Sequence, residues 1–77
     1  MECWYPQLVR QGTKITVVQN WGDACRYAGL TKTSLAYALA DQLGTSVEIQ
    51  GDELLMKGRF DEVGILHGIK LIEATTS

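Results

Sequence analysis

The sequence has one proline, one histidine and two cysteines among 77 residues, and this scarcity excludes several kinds of protein. Cys3 and Cys25 have no CxxC spacing and His67 stands alone, so neither a metal site nor a disulfide framework is indicated. The carboxylates have no nucleophile, histidine or phosphate-binding loop beside them in the sequence. We therefore expect no enzymatic activity, no metal, no cofactor and no small-molecule substrate.

Long apolar runs are also missing. No stretch approaches the roughly 20 residues that span a bilayer, and Met1–Pro6 lack the basic start and apolar core of a signal peptide. Hydrophobic residues make up 45% of the chain and charged residues 21%, which is a globular composition. We expect a single cytoplasmic domain over residues 1–77, with a modest core and no contact with membranes.

Positive charge is scarce in the second half of the chain. Residues 1–40 carry four basic and two acidic side chains, whereas residues 41–77 carry three basic and seven acidic ones. The net charge of −2 argues against a general polyanion binder, because non-specific affinity for nucleic acid comes from Lys and Arg contacts to phosphates. A surface that binds anions is therefore expected in the first half.

Two β-hairpins are predicted. Leu8–Gln19 has a turn at Gln11-Gly12 between two β-prone runs, and Ser46–Gly58 has a turn at Gly51-Asp52 between alternating strands. In the first hairpin, alternation places Ile15 and Val17 on one face of the sheet and Thr16 and Val18 on the other.

Two helices are predicted between the hairpins. The first runs to about Ala28, with Asn20 or Asp23 as its N-terminal cap, and Gly29 ends it by taking a positive φ. The second covers about Lys32 to Leu43 and is capped by Thr31 or Thr33. Its apolar stripe consists of Leu35, Ala38, Leu39 and Leu43.

The C-terminal segment is predicted to contain a short helix and a strand. Phe60–Leu66 is expected to form one helical turn or more. Ile69–Ala74 has strand composition after a His67-Gly68 turn, and its expected partner is the strand at Lys14–Gln19.

Small residues and a glycine between the two central helices indicate a helix-turn-helix over about residues 22–43. The run Cys25-Arg26-Tyr27-Ala28-Gly29-Leu30-Thr31-Lys32-Thr33-Ser34-Leu35, followed by a hairpin at about 46–58, resembles the winged helix-turn-helix of excisionase and MerR-type proteins. The resemblance covers about Thr16–Leu66. It implies an α+β fold with an N-terminal β-hairpin, two short helices, a β-hairpin wing and a C-terminal strand.

The resemblance also implies a function: sequence-specific binding of double-stranded DNA, as an excisionase-like architectural factor or a small transcriptional regulator. Residues opening the second helix would contact base edges, and others would hold phosphates. The base contacts implied are Lys32, Thr33, Ser34 and Tyr37, the phosphate contacts are Arg26, Thr31, Lys57 and Arg59, and the wing tip is Gln50, Gly51 and Asp52.

The acidic wing departs from this pattern, because Glu48, Asp52 and Glu53 lie where such wings usually carry Arg or Lys. Binding of DNA is therefore expected to be weak and to need a homodimer or a protein partner. The alternative is a small acidic protein-binding module of phage accessory or inhibitor type that does not bind DNA and uses Trp4-Tyr5 as an exposed apolar patch. A third interpretation is an unrelated α+β domain with a hairpin, helix, hairpin, strand order.

Overall fold

The computed structural model describes residues 4–76, with side chains as far as Thr75, as four strands and three helices. Cys3 lies outside the described residues. In chain order the elements are β1 (Gln7–Gln11), β2 (Ile15–Gln19), α1 (Trp21–Ala28), α2 (Lys32–Leu43), β3 (Val47–Gln50), β4 (Glu53–Lys57) and α3 (Glu62–Thr76). The protein is thus a small α+β domain built on an antiparallel sheet.

The sheet has the strand order β1-β2-β4-β3. Both predicted hairpins are present, and β2 pairs with β4, which joins the first hairpin to the second. The connection between β2 and β3 contains α1 and α2, so the two central helices lie between strands of one sheet.

The helices cover one face of this sheet. Val18, Leu54 and Met56 are fully buried and belong to the same core cluster as side chains from all three helices. Alternate residues on β2 and β4, namely Ile15, Val17 and Leu55, do not belong to that cluster. The alternation predicted for β2 is therefore confirmed, with Val18 on the core side. The helical members of the core are Trp21, Ala24, Cys25, Ala28, Leu35, Ala36, Leu39, Ile65, Ile69 and Ile72.

The C-terminal strand predicted at Ile69–Ala74 is wrong. This segment belongs to α3, which runs without interruption through the predicted His67-Gly68 turn. The β-branched residues that favoured a strand instead form a helical stripe, because Ile65, Ile69 and Ile72 recur at i, i+4 and i+7 and are buried together. Gly68 suits this packing, since a Cβ on it would lie 2.9 Å from the Cδ1 atom of Leu39 on α2.

A buried hydroxyl connects the sheet to the start of α3. The Thr16 side chain on β2 is fully buried. Its Oγ1 donates to the carbonyl oxygen of Gly58 at 2.8 Å and accepts from the backbone nitrogen of Phe60 at 3.0 Å. The Thr16 hydroxyl thereby provides hydrogen-bond partners for two backbone groups of the segment between β4 and α3.

The helices are short, with 8 residues in α1, 12 in α2 and 15 in α3. The bounds of α1 and α2 agree with the predicted ends at Ala28 and Leu43. Across residues 4–76, no helix combines the length and the apolar character that crossing a bilayer requires.

Candidate helix-turn-helix interface

The turn between α1 and α2 depends on Gly29. Its φ of 74° is in the left-handed region, and its N–H donates to the carbonyl oxygen of Cys25 at 2.8 Å. The next nitrogen, of Leu30, donates to the same oxygen at 3.0 Å. This arrangement ends α1 and reverses the chain, as the sequence predicted.

Helix α2 begins with a side-chain cap. Thr31 is extended, with φ −75° and ψ 163°, and its hydroxyl oxygen accepts from the Ser34 nitrogen at 3.1 Å. Thr31 is therefore the capping residue, of the two threonines predicted. The cap aligns the first turn of α2 so that one side faces the core and the other faces solvent.

The residues predicted to contact bases are exposed on α2. Lys32, Thr33 and Ser34 are exposed, and 67% of Tyr37 is accessible. Leu35 and Leu39 on the same helix are fully buried. Thr33, Ser34 and Tyr37 thus present three hydroxyl groups to solvent, and Lys32 adds an ammonium at the helix start. We call these four residues, Lys32, Thr33, Ser34 and Tyr37, the α2 face.

The ammonium of the α2 face is held by the turn of the second hairpin. The Nζ atom of Lys32 donates to the carbonyl oxygen of Gly51 at 3.2 Å and lies 3.7 Å from the Oδ1 atom of Asp52. The Lys32 carbonyl in turn accepts from Nε1 of the buried Trp21 at 3.3 Å. The positive charge therefore has a carboxylate partner within the protein, which weakens its field toward an external anion.

The same turn also caps α1. The Asp52 side chain accepts from the Gly22 nitrogen at 2.7 Å, and the Asp52 carbonyl accepts from the Trp21 nitrogen at 2.8 Å. Asn20 occupies the N-cap position, as one of the two predicted alternatives, but it takes a left-handed conformation and its side chain makes no cap hydrogen bond. Its amide donates to Gln7 Oε1 at 3.1 Å instead.

The residues predicted to hold phosphates are divided between two places. Arg26 on α1 forms an ion pair with Asp23, and Thr31 uses its hydroxyl oxygen in the cap of α2. Lys57 and Arg59 are exposed, but Lys57 is the last residue of β4 and Arg59 follows it, at the end of the strand that is farther from the Gly51-Asp52 turn. The structure therefore brings the wing tip to the α2 face and leaves these two cations apart from it. Gln50 at the wing tip is exposed, and its amide donates to Glu48 Oε2 at 3.1 Å.

Cys25 lies beneath the turn and is 5% exposed. Burial raises the pKa of its thiol above the ordinary value of 9.0; Lys32 opposes this rise and Asp52 adds to it. A protonated, enclosed thiol is a poor nucleophile and a poor metal ligand at neutral pH. Within residues 4–76, no three His, Cys, Asp or Glu side chains are grouped so that they could hold a metal ion.

The two N-terminal aromatic residues have different environments. Trp4 packs against the core, with its ring centroid 6.4 Å from that of Tyr27. Tyr5 is 53% exposed. Of the two residues predicted to form an apolar patch, Tyr5 is therefore exposed and Trp4 is partly buried against the core.

Sequence reasoning missed the double role of Asp52. The Gly51-Asp52 pair was interpreted as a hairpin turn, which it is, but a turn residue carries no signal of the distant helix that it caps. The sequence carried no hint of this role, because Asn20 directly precedes Trp21 and is itself a favourable N-cap type. A helix start without a local acceptor requires one from elsewhere in the fold.

No model of a known protein family matches this chain. The chain is similar to eukaryotic translation initiation factor 2 subunit beta of Arabidopsis thaliana, with 39% identity over 56 residues, which is 71% of this chain and 21% of the relative. The corresponding protein of Triticum aestivum is 38% identical over 56 residues, with the same shares of the two chains. The chain thus spans about a fifth of the length of the curated relatives that it matches.

Proposed function

We propose that this chain is a non-enzymatic binding domain that acts in translation initiation, on a partner that the similar segment of initiation factor 2 subunit beta also contacts. The observation that carries the proposal is the identity of 39% over 56 residues with that subunit. The relative is named as a subunit, so it assembles with other proteins, and the proposed partner here is a protein of the same initiation machinery. Such a domain would act in the cytoplasm.

The electrostatics of the helix-turn-helix support a protein partner. Lys32 is paired with Asp52, and Arg26 is paired with Asp23, so the two cations nearest the turn are balanced by carboxylates. A phosphate backbone would have to compete with these internal pairs. A polar, electrically balanced surface suits the rim of a protein interface, where charged pairs contribute little affinity but select the partner.

The α2 face supplies the expected centre of the contact. Tyr37 is two-thirds exposed on a helix whose opposite side is fully buried, so its ring is presented on a rigid support. Tyrosine is enriched at interface centres because it offers a large area and a hydroxyl at low conformational cost. Thr33 and Ser34, one turn before it, offer two hydroxyl groups beside the ring.

The proposal is tested with intact initiation factor 2 from wheat, whose beta subunit is among the relatives. The purified chain is added to a wheat-germ translation extract, and 48S initiation complexes on a reporter mRNA are measured on sucrose gradients. We expect a dose-dependent loss of these complexes, because the chain would compete with the beta subunit for its partner. Adding purified intact factor should reverse the loss.

Matched tyrosine variants locate the surface. Tyr37→Ala should weaken the inhibition about tenfold or more, as truncation of a central interface tyrosine does. Tyr5→Ala is the control, since Tyr5 is similarly exposed but lies outside the α2 face. Unchanged initiation complexes at every dose, or equal effects of both variants, would contradict the proposal.

A second candidate function is the binding of double-stranded DNA by a winged helix-turn-helix, as an excisionase-like factor or transcriptional regulator. It is favoured by the exposure of Lys32, Thr33 and Ser34 at the start of α2 and by the order β2-β4-β3 with two helices between β2 and β3. In this geometry the first residues of the second helix enter the major groove.

The second candidate is tested by titrating a labelled random duplex with the chain at about 20 mM and about 150 mM salt, conditions between which phosphate contacts lose most of their strength. Binding that falls with salt and with Lys32→Ala, but not with Lys70→Ala on α3, would support it. No binding of the duplex at low salt, or an equal loss of binding in both variants, would reject the DNA-binding function.

A further inference from the structure

The sheet has a second face that the helices do not cover. Ile15, Val17 and Leu55 lie on β2 and β4, alternate with the core residues and stand outside the core cluster. Val17 is 9% exposed, whereas Ile15 and Leu55 are half-buried. We call this surface the outer sheet face and define it by these three residues together with the side chains paired beside them. An antiparallel sheet with one covered face normally presents a polar second face, and here the half-buried Ile15 and Leu55 add apolar surface between the charged side chains.

The register of the strands arranges this face in an ordered row. Arg10 on β1 is opposite Val17, Val17 is opposite Leu55, and Leu55 is opposite Glu48 on β3. Residues that pair directly across an antiparallel ladder project to the same side of the sheet. The row therefore runs from a cation at one edge, through two apolar side chains, to an anion at the other edge.

The outer sheet face is electrically neutral, although the whole chain carries −2. Its basic side chains are Arg10 and Lys57, and its acidic ones are Glu48 and Glu53. Arg10, Glu48 and Lys57 are exposed. A surface with balanced ends and an apolar centre can approach a copy of itself without net repulsion.

A shallow cavity adjoins the apolar centre. It has a volume of about 270 Å³ and is lined by residues of β2, β3 and β4 together with Ser46. Its lining residues are Ile15, Ser46, Val47, Glu48, Leu55, Met56 and Lys57. The outer sheet face therefore borders a depression that a side chain of a bound partner could fill.

We propose that the outer sheet face binds the outer sheet face of a second copy of this chain, about a twofold axis parallel to the strands. That axis reverses the row, so Arg10 of one protomer faces the partner subunit's Glu48, and Val17 packs on the partner subunit's Leu55. The twofold axis then generates two equivalent pairs of Arg10 with Glu48, one at each end of the interface, as a twofold dimer requires. Two sheets packed in this way lie about 10 Å apart with nearly aligned strands.

The dimer is expected to be reversible. Three apolar side chains and two ion pairs place it among small interfaces, which bury less than about 1,200 Å² and are weak. The pairs at the rim are screened by salt, so dissociation should increase with ionic strength. The inference concerns self-association and does not depend on the function proposed above.

Sedimentation velocity of the full chain, at concentrations from about 10 μM to 1 mM, tests the proposal, because this range covers weak affinities. The wild-type protein should move from monomer to dimer across the range. Arg10→Glu should remain monomeric, since two carboxylates would face each other at each end, and like charges so placed cost several kcal/mol. Glu48→Arg should behave in the same way.

A mixture of the two single variants and a double variant distinguish this dimer geometry from other modes of association. An equimolar mixture of Arg10→Glu and Glu48→Arg should form a heterodimer, because each glutamate then faces an arginine. The double variant R10E/E48R should recover the wild-type dimer. Both positions are exposed, and thermal unfolding of each variant confirms that it is folded.

Lys14→Glu serves as the matched control, since Lys14 is exposed and precedes the paired residues of β2. It should dimerise as the wild type does. The proposal is overturned if the wild-type chain stays monomeric throughout the range, if the single reversals dimerise, or if neither the mixture nor the double variant restores association.

Discussion

The Oδ1 atom of Asp52 lies 2.7 Å from the backbone nitrogen of Gly22, although the two residues are 30 positions apart in the chain. A hairpin turn thus satisfies the first turn of a helix that has no side-chain cap of its own. The same carboxylate lies 3.7 Å from Nζ of Lys32 at the start of α2. Through Asp52 the second hairpin therefore contacts both α1 and α2.

Loss of this carboxylate should destabilise the fold. Asp52→Ala removes the acceptor for the Gly22 nitrogen, and we expect the free energy of unfolding to fall by about 1 kcal/mol, as for other helix caps. Asp52→Asn retains an acceptor oxygen and should lose less. Urea denaturation measures both, and Asp41→Ala, at an exposed position on α2, should stay within about 0.5 kcal/mol of the wild type. Equal stability of all three variants would show that the contact carries no energy.

The hydroxyl of Thr16 should matter more than its methyl group. Thr16→Val keeps the shape but leaves the Gly58 carbonyl and the Phe60 nitrogen without their buried partner, and each orphaned group costs about 1–3 kcal/mol. Thr16→Ser keeps both hydrogen bonds and loses one methyl, at about 1 kcal/mol. The order of stability expected in thermal or urea unfolding is wild type, then serine, then valine. Valine as stable as serine would contradict the role assigned to the hydroxyl.

Substitution at Gly29 tests the turn itself. A Cβ there meets no atom within 4 Å, so the cost of Gly29→Ala comes from the positive φ alone and should be about 1 kcal/mol. Gly29→Asn should cost less, because asparagine tolerates the left-handed region better. Gly12→Ala is the control, since Gly12 has neither a positive φ nor a neighbour closer than 3.8 Å to the added atom. Chemical denaturation should therefore rank alanine at residue 29 as the least stable of the three.

The Cys25 thiol should make stability fall at alkaline pH. Burial raises the pKa of this thiol in the folded protein, so the unfolded chain gives up its proton at lower pH, near 9.0, than the native protein does. The stabilisation is complete below pH 9.0 and is lost as pH rises toward the native pKa. Measured under reducing conditions, the stability difference between wild type and Cys25→Ala should shrink above pH 9.0. A stability difference between wild type and Cys25→Ala that stays constant from about pH 7 to about pH 10.5 would contradict this role of the thiol.

The local residue pattern was sufficient to predict the secondary-structure elements in the middle of the chain. Alternating residues and a two-residue turn define the second hairpin, and Gly29 and Gly44 mark the ends of α1 and α2 because both take positive φ. These signals lie within a few residues of the feature that they specify. Exposure of Thr33 and Ser34 likewise follows from the position of Leu35 on the helix, whereas Lys32 is on the side of Leu35 and reaches the Gly51-Asp52 turn.

Features that depend on distant partners could not be predicted in the same way. Ile69–Ala74 has the composition of a strand, and its helical state follows from packing of Ile69 and Ile72 on the core. The cap on α1 and the pairing of β2 with β4 join residues far apart in sequence. The row from Arg10 to Glu48 is equally invisible in the sequence, since it requires the register of three strand pairs.

The pairing of β2 with β4 has a consequence for folding order. It joins Ile15 to Lys57 and closes a loop of chain that contains both α1 and α2. Closing such a loop costs entropy before the enclosed helices gain a surface to pack on, which slows folding. A peptide cut out over residues 20–44 would lack both the aspartate that starts its first helix and the strands beneath it. The unit formed by α1 and α2 therefore depends on the strands and the hairpin turn around it and is not a part that can be transplanted.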